Sequence, residues 1–298
     1  MYDIERRMRT MIQISGHTIL TGLLGSPISH SISPAMHNEA FHQLDIDCVY
    51  LAFEADADKI PSAMEALRTL NVRGFNVTMP GKNIAANICD ELSLAAKLTN
   101  SVNTVVNENG RFIGHNTDGI GYMRSVKKMG CDVIGKKMTI LGTGATATSI
   151  FTQAALDGVS EMSVFGRVGA SFDRAKHLIQ TLKQSTSCNI ALYDIADKNL
   201  LKQEIADSTL LTNATSVGMT PNQGISLIED VSFFHPELYV SDVIYSPRET
   251  RLLSIAKEAG CKTFNGLYML LYQGAAAFHL WTGQEMPVEI IKEKYFSE

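Results

Sequence analysis

Cysteine is scarce in this chain, and its spacing excludes two common uses of the residue. Five cysteines are scattered through 298 residues, and no two of them have the CxxC spacing of paired metal ligands. An odd number of widely separated cysteines favours neither a disulfide framework nor a zinc cluster, so we expect no metal site. Unpaired thiols are typical of a reducing compartment, and we therefore expect a cytoplasmic protein.

Strong charge of either sign is lacking as well. The sequence contains 26 Lys and Arg residues against 31 Asp and Glu residues, which gives a formal net charge of -5. The early arginines Arg6, Arg7 and Arg9 are not followed by another dense basic run. Because phosphate binding usually requires a clustered basic face, nucleic acid is not an expected partner. The residues after these arginines lack a small-residue cleavage site, so no signal peptide is expected.

One uncharged stretch, residues 263–284, is long enough to span a bilayer. It nevertheless contains Asn265, Gly266, Gln273 and His279, whose polar groups a membrane span would have to satisfy. This composition favours a buried helix of a large domain over a membrane span. We therefore expect no membrane association.

The first hundred or so residues alternate between short apolar runs and helix-like segments. The runs at 19–24, 48–53 and 74–78 predict strands, and the segments at 34–44 and 56–70 predict helices between them. This alternation indicates a parallel α/β layer. The chain length predicts two domains, at roughly 100 to 200 residues per domain.

A turn and a second α/β series follow. Asn109-Gly110 lies between two apolar runs, which predicts a hairpin. The second series starts near Lys137, where a predicted strand at 138–141 runs into Gly142-Thr143-Gly144-Ala145-Thr146-Ala147. This loop satisfies G-x-G-x-x-G/A, the pattern that lets a pyrophosphate approach the backbone at a helix N-terminus. The alternative is an ordinary βα turn that contains glycine.

The end of the next predicted strand bears on the choice of cofactor. An acidic residue there binds the ribose 2′-hydroxyl of NAD, whereas arginine accommodates the 2′-phosphate of NADP. The strand at 162–165 runs into Gly166-Arg167-Val168-Gly169, which contains no acid. The sequence therefore predicts NADP rather than NAD, with Arg167 against the phosphate or the adenine. A solvated loop arginine is the alternative.

Polar side chains collect at segment ends in the first half of the chain. Ser31 and Ser33 precede a predicted helix, where they could bind a carboxylate, although Ser33 as a simple helix N-cap is the favoured alternative. Thr78 and Lys82 follow a strand, the position at which α/β sheets bind ligands. Asp118 lies after the last strand of this half and could equally cap the helix that follows.

Together these segments resemble the shikimate dehydrogenase family. In the first half the resemblance is carried by Ser31-Ile32-Ser33-Pro34 with His37-Asn38, Asn76-Val77-Thr78-Met79-Pro80 with Lys82, Val102-Asn103-Thr104, and Gly114-His115-Asn116-Thr117-Asp118-Gly119. In the second half it is carried by Asn213-Ala214-Thr215-Ser216-Val217-Gly218-Met219, Asp242-Val243-Ile244-Tyr245-Ser246-Pro247, and Gly266 with Met269-Leu270 and Gln273. Each motif is loose by itself, but the ordered set is highly specific.

The resemblance implies both a fold and an activity. The fold would be α/β, with an N-terminal substrate domain, a Rossmann-type dinucleotide-binding domain, and C-terminal helices that return to the first domain. Residues 1–119 with 266–298 would form the catalytic domain, and residues 120–265 would bind NADP. The activity would be the reversible NADP-dependent reduction of 3-dehydroshikimate to shikimate, a step of aromatic amino-acid and chorismate biosynthesis.

The resemblance also assigns roles to individual residues. Lys82 and Asp118 match the catalytic pair. The matching substrate-binding residues are Ser31 and Ser33 for the carboxylate, Thr78, Asn103, Asp118 and Gln273 for the ring hydroxyls, and in addition Lys82 and Tyr245. The matching cofactor-binding residues are Gly142, Thr143, Gly144, Ala145, Thr146, Arg167, Ser216, Val243 and Gly266.

Two departures from the family pattern leave alternatives open. The family often has Gly-Ala-Gly-Gly-Ala where this chain has Gly142-Thr143-Gly144-Ala145-Thr146, and an Asn-Arg pair where it has Gly166-Arg167. A branch that also oxidises quinate and uses NAD often has an Asp where this chain has Gly169, yet residues 261–263 and 280–283 resemble that branch.

The alternative functions are therefore a quinate/shikimate dehydrogenase that also uses NAD and, less favoured, an aminoshikimate-type dehydrogenase. A non-catalytic nucleotide-sensing protein is the alternative of another class. The expected partners are shikimate, 3-dehydroshikimate and, in the quinate branch, quinate, with a homodimer as one expected assembly.

Overall fold

A computed structural model describes residues 14–296, and the chain divides into two compact units. The first unit contains the described residues up to Ala96, Asn100–His115, and the chain from Gly274 onward. The second unit contains Lys97–Thr99 and Asn116–Gln273. The arginines Arg6, Arg7 and Arg9, on which the expectation about a signal peptide depends, lie outside the described residues.

The first unit is built on a mixed six-stranded sheet. Its strands are β1 (Ile19–Gly25), β2 (Cys48–Glu54), β3 (Gly74–Val77), β4 (Glu91–Leu92), β5 (Thr104–Glu108) and β6 (Arg111–His115). They lie in the order β2-β1-β3-β5-β6-β4. The first three are mutually parallel, and β5 is antiparallel to both β3 and β6. The predicted hairpin is present, with Asn109 and Gly110 at positive φ between β5 and β6.

Helices follow most of these strands. In chain order they are α1 (Ser33–Gln43), α2 (Ile60–Thr69), α3 (Lys82–Ile88) and α4 (Leu94–Thr99). The chain ends in α10 (Leu267–Thr282) and α11 (Val288–Tyr295). Helix α10 begins in the second unit and ends in the first, and α11 belongs to the first unit.

The second unit contains a fully parallel six-stranded sheet. Its strands are β7 (Lys137–Leu141), β8 (Glu161–Gly166), β9 (Asn189–Asp194), β10 (Leu210–Asn213), β11 (Tyr239–Asp242) and β12 (Lys262–Phe264). They lie in the order β12-β11-β10-β7-β8-β9. Numbered within the unit, this is the 3-2-1-4-5-6 order of a Rossmann fold, with the topological switch point between β7 and β10.

The helices of the second unit are α5 (Asp118–Lys128), α6 (Ala145–Asp157), α7 (Ala170–Ser185), α8 (Lys198–Ala206) and α9 (Arg251–Glu258), with a short 3-10 helix at Val231–Phe233. Apolar side chains of these helices pack on the sheet, among them Ile150, Phe151 and Leu182. Within the described part of the chain, no helix is both long and apolar enough to cross a membrane.

Strand β11 ends before the apolar residues Val243 and Ile244. The strand stops at Asp242, whose Oδ1 accepts a hydrogen bond from the backbone N–H of Ile244 at 3.0 Å. Such a contact turns the backbone away from the sheet. The apolar side chain of Ile244 is still buried, which explains why the apolar pattern continues beyond the strand.

Aromatic rings pack around His37 of α1 in the core of the first unit. The imidazole stacks on Tyr50 with the ring centroids 4.5 Å apart, and it lies 5.3 Å from the ring of Trp281. His37 is fully buried, and neither ring nitrogen has a hydrogen-bond partner among the described residues. Burial lowers the pKa of His37 to about 3. The folded protein therefore keeps this imidazole neutral.

This lowered pKa predicts a pH dependence of the stability of the first unit. Below pH 6.5 the unfolded chain binds a proton at His37 that the folded chain excludes until about pH 3. The contribution of neutral His37 to the free energy of unfolding is therefore complete above the unfolded pKa of 6.5, and it is lost as the pH falls from 6.5 to about 3. We expect the free energy of unfolding of wild type, relative to H37F, to fall by about 2 kcal/mol between about pH 7 and pH 5.

Urea unfolding followed by fluorescence measures this difference, because Trp281 is the one tryptophan of the chain and lies 5.3 Å from His37. His42 is exposed on the same helix, so H42F serves as the matched control. Parallel pH curves for wild type and H37F would show that His37 does not titrate in this way.

Candidate active site

The loops after β1 and β3 lie side by side at one edge of the first sheet. Ser26 N–H donates to the carbonyl of Met79 at 2.9 Å, and Thr78 N–H donates to the carbonyl of Leu24 at 2.9 Å. A Cβ at Gly25 would lie 2.4 Å from Cγ2 of Thr78. This close approach requires glycine, which also has a φ of +156° there. The loop after β1 therefore starts in contact with Thr78.

Backbone hydrogen bonds bring Thr78, Lys82 and Asn103 together. Gly81 N–H donates to the carbonyl of Thr78 at 2.8 Å, which tightens the turn into α3. The carbonyl of Lys82 accepts from Val102 N–H at 3.0 Å, and Val77 N–H donates to the carbonyl of Asn103 at 2.9 Å. Three of the residues predicted for the substrate thus lie on adjoining backbone segments of the first unit.

The structure contradicts the interpretation of Ser33 as a helix N-cap. Helix α1 already includes Ser33, the N-cap position is Ile32, and no side-chain cap hydrogen bond is made there by the described residues. Ser33 N–H instead donates to Oγ of Ser31 at 3.3 Å. The likeness of Ser-x-Ser-Pro to a capping sequence misled the prediction, because Pro34 fits either of the first two helical positions.

Two residues that the sequence interpretation did not select complete a buried polar network. The Tyr50 hydroxyl donates to Oδ1 of Asn76 at 2.7 Å. Nδ2 of Asn76 donates to the carbonyl of Asn103 at 3.1 Å and to Oγ1 of Thr104 at 3.0 Å. A buried asparagine in an otherwise apolar strand was the available indication. The network connects Tyr50 to Asn103 through the interior of the sheet.

In the second unit, Asp118 is the first residue of α5 and is positioned by close packing on α6. A Cβ at Gly119 would lie 2.4 Å from the carbonyl oxygen of Ser149, so the two helices touch through backbone. Asn116 Nδ2 donates to Oγ of Ser149 at 2.9 Å, and Asn116 Oδ1 accepts from Asp118 N–H at 3.2 Å. The position of Asp118 is thereby tied to the helix that follows the glycine loop.

Gln273 lies against the same helix α5. A Cβ at Gly121 would lie 2.5 Å from the backbone nitrogen of Gln273. Only glycine permits this approach, and it brings the predicted residues Asp118 and Gln273 to neighbouring positions, the first at the start of α5 and the second against its first turn.

The glycine loop lies at the switch point of the second sheet. Gly142 has a φ of +122°, and a Cβ there would lie 2.9 Å from the carbonyl oxygen of Ala214. Ala214 N–H donates to the carbonyl of Leu141 at 2.8 Å. The loop after β10, which carries the exposed Ser216, therefore starts beside the glycine loop.

The glycine loop fits a dinucleotide pyrophosphate. Gly144 is the N-cap of α6, and no side chain of the described chain caps this helix end. A Cβ at Gly144 would meet none of the described atoms within 4 Å. Backbone N–H groups of the first turn, at Ala145 and Thr146, are thus available beside open space, which is the arrangement that binds phosphate groups.

The end of β8 adjoins the same loop. A Cβ at Gly166 would lie 2.4 Å from Cγ2 of Thr143, and the Thr143 hydroxyl is 3.1 Å from that of Ser171. Arg167 follows directly and is exposed. The residue directly after β8 is therefore an exposed cation, and residues 167–169 contain no acid.

Val243 and Gly266 also lie in contact. A Cβ at Gly266 would lie 1.9 Å from the carbonyl oxygen of Val243, and Gly266 N–H donates to the carbonyl of Ile244 at 3.1 Å. Tyr245 follows with 43% of its surface exposed.

No cluster of three or more histidine, cysteine or acidic side chains able to hold a metal ion occurs among residues 14–296.

Comparison with known proteins bears on the family of the chain. A family model described as the shikimate dehydrogenase substrate binding domain matches residues 23–105, and one described as the shikimate 5′-dehydrogenase C-terminal domain matches residues 266–294. A shikimate dehydrogenase (NADP(+)) of Listeria monocytogenes serotype 4b is 51% identical over 284 residues, which cover 95% of this chain and 98% of that protein. A quinate/shikimate dehydrogenase of Escherichia coli strain SMS-3-5 is 43% identical, over 92% of this chain and 95% of that one.

The fold is shared with a solved structure as well. The crystal structure of shikimate 5-dehydrogenase from Listeria monocytogenes, in complex with shikimate and NAD, is 50% identical to this chain. The match has a TM-score of 0.92 and covers 96% of this chain and 99% of that one. Identity of this extent over nearly the whole length shows that the chain belongs to the shikimate dehydrogenase family.

Proposed function

We propose that this protein catalyses the reversible NADP-dependent oxidation of shikimate to 3-dehydroshikimate. The observation that carries the proposal is the 51% identity, over 95% of the chain, to a relative named shikimate dehydrogenase (NADP(+)). The open glycine loop at Gly144 and the absence of an acid directly after β8 support the same cofactor. The proposed reaction belongs to aromatic amino-acid biosynthesis.

The proposed cofactor contacts lie in the loops that follow the strands of the second sheet. In the proposal, the N–H groups at the start of α6 hold the pyrophosphate, and Arg167 neutralises the 2′-phosphate. In the same proposal, the other half of the cofactor contacts Ser216 after β10, Val243 after β11 and Gly266 after β12. Bound NADP would supply the acceptor for the hydride from C3 of shikimate. The residues of the chain then have to bind the substrate, orient it and transfer one proton.

The proton belongs to the C3 hydroxyl, and Lys82 is the group proposed to handle it. An amine can accept the proton as the carbonyl forms and return it in the reverse reaction. Asp118 accepts a hydrogen bond from a ring hydroxyl and orients the reacting group. Thr78, Asn103 and Gln273 hold the remaining hydroxyls, with Tyr245 as a further contact.

Ser31 and Ser33 are proposed to bind the substrate carboxylate. The structure leaves the Ser33 hydroxyl out of helix capping, and it places the Ser31 hydroxyl 3.3 Å from Ser33 N–H. A carboxylate far from C3 is held equally in the ground state and the transition state, so these residues contribute to KM rather than to kcat.

Further expectations concern location and assembly. All five cysteines are free thiols, which supports a reducing cytoplasm. Small molecules are the proposed partners rather than nucleic acid or membrane, and a homodimer stays a prediction.

An initial-rate assay with the purified protein tests the proposed function. Shikimate and quinate are each supplied with NADP and with NAD, and nicotinamide absorbance reports turnover. Fast turnover of shikimate with NADP alone supports the proposal. Cofactor binding without turnover in any of the four combinations would favour a nucleotide-sensing protein.

The second candidate is a quinate/shikimate dehydrogenase that also uses NAD. Two observations favour it: the 43% identity to an Escherichia coli protein of that name, and the NAD present in the Listeria structure at 50% identity. In addition, Asp194 ends β9 beside Gly166 in the sheet register, so a carboxylate lies one strand away from Arg167. Comparable rates with quinate or with NAD would select this candidate.

Removal of Lys82 tests the proposed proton transfer. General acid–base groups contribute about 10² to 10⁴ in rate, so we expect K82A to lose at least about a hundredfold in kcat with a smaller change in KM. K59A removes an exposed lysine that makes only a weak surface pair with Asp56, and it serves as the control. A K82A protein with nearly normal kcat would remove Lys82 from this role.

Removal of Arg167 tests the cofactor choice. A hydrogen bond to a charged group is worth about 1.5 to 3 kcal/mol, so R167A should raise KM for NADP by roughly 10- to 100-fold. KM for NAD should not change, because NAD lacks the 2′-phosphate. R174A, which removes an exposed arginine of α7, is the matched control. An unchanged preference for NADP in R167A would assign the phosphate to another group.

A further inference from the structure

Asp242 is a buried carboxylate that has no part in the proposed chemistry. It ends β11 and is 1% exposed. Its Oδ2 accepts hydrogen bonds from Nδ2 of Asn213 at 3.1 Å and from Oγ1 of Thr250 at 2.8 Å, and its Oδ1 accepts from Ile244 N–H at 3.0 Å. Burial raises the pKa of the carboxyl, and these three donors oppose the rise. Because burying a carboxylate costs free energy unless it is hydrogen-bonded, Asp242 requires all three hydrogen bonds.

The partner Asn213 extends this contact into the next loop. Its Nδ2 also donates to the carbonyl of Val217 at 3.2 Å, and its Oδ1 accepts from both the N–H and the hydroxyl of Thr215, at 3.1 and 2.7 Å. The two side chains thus hold the loop after β10 and the loop after β11 in one arrangement. We name the hydrogen-bonded pair Asn213 and Asp242 the strand-end pair.

The loops held by the strand-end pair carry one half of the proposed cofactor contacts. Ser216 lies in the loop after β10, and Val243 follows Asp242 directly. A Rossmann sheet binds a dinucleotide with two mononucleotide halves on opposite sides of the switch point. The glycine loop and Arg167 follow β7 and β8, the strands of the adenosine half. Strands β10 and β11 therefore belong to the nicotinamide half.

We propose that Asp242 is a positioning residue for the nicotinamide half of the cofactor, acting through Asn213 on Ser216 and through its own strand end on Val243. The carboxylate does not touch the cofactor, because it is buried beneath the two loops. Instead, it holds in place the backbone of the two loops that contact the cofactor. This inference rests on the proposed function only in taking NADP as the cofactor.

The variant D242N tests the proposal with little change in volume. In D242N an amide NH2 group replaces the oxygen that accepts from Nδ2 of Asn213 and from the hydroxyl of Thr250. Two NH2 groups then face each other, so the hydrogen bond between the ends of β10 and β11 is lost. We expect the Kd for NADPH, measured by nicotinamide fluorescence and by calorimetry without substrate, to rise roughly tenfold or more. The Kd for adenosine 2′,5′-bisphosphate should stay within about twofold, because this fragment uses only the adenosine half.

A second variant restores the pair with its polarity reversed. In the double variant D242N/N213D the new amide can donate to the new carboxylate, and that carboxylate can still accept from the N–H and hydroxyl of Thr215, whereas the carbonyl of Val217 loses its donor. We expect the double variant to recover part of the NADPH affinity that D242N loses. This rescue also separates positioning from a general loss of folding, since two substitutions would otherwise destabilise more than one.

The matched control is E204Q. Glu204 is a half-buried carboxylate of the same unit that contacts Ser163 and pairs with Lys137 at the start of β7, the end of the strand opposite to the glycine loop. E204Q should lower the thermal stability without changing either Kd. Equal loss of NADPH and bisphosphate affinity in D242N, or no loss of either, would overturn the proposal. Failure of wild type to bind NADPH at all would instead refute the proposed cofactor.

Discussion

Parallel strand pairing is the constraint on which the arrangement of both units depends. Strands that run in the same direction end at the same edge, so the loops that follow them share one surface of each sheet. In the first unit this applies to β1 and β3, whose ends lead to Ser31, Thr78 and Lys82. In the second unit it applies to β7 and β10, whose ends lead to Gly142 and Ser216. Polar residues far apart in sequence thereby become neighbours within each unit.

Sheet pairing alone fixes strands, but the loops beyond them need further contacts. Both units use buried polar side chains for this purpose: Tyr50 and Asn76 in the first, Asn213 and Asp242 in the second. A buried hydrogen-bonded group adds little net stability, yet leaving one partner unsatisfied costs about 1 to 3 kcal/mol. Alternative loop positions that break these contacts are therefore disfavoured, and this penalty confers a specific loop geometry on each sheet edge.

The sequence predicted those features that depend on local chemistry. The hairpin at Asn109 followed from its preference for positive φ, and the glycine loop at Gly142 followed from spacing after an apolar strand. The interpretation of Ser33 as a helix N-cap, favoured by the local sequence alone, was wrong because Ser33 already lies inside α1. Tyr50 and Asp242 were given no role of their own, since their importance comes from partners 26 and 29 residues away, which no local pattern reveals.

The proposed contact of Arg167 with the 2′-phosphate of NADP would need little supporting structure. Arg167 lies on an exposed loop, so it keeps its hydration until a phosphate arrives, and the protein bears no desolvation cost in the free state. A buried arginine at this position would need a permanent carboxylate partner, which would repel the 2′-phosphate. The neighbouring strand end carries Asp194, whose Oδ1 accepts from Ala196 N–H at 3.0 Å. If Arg167 binds the 2′-phosphate as proposed, selectivity between the two cofactors depends on the balance between this exposed cation and a carboxylate that already accepts a backbone hydrogen bond.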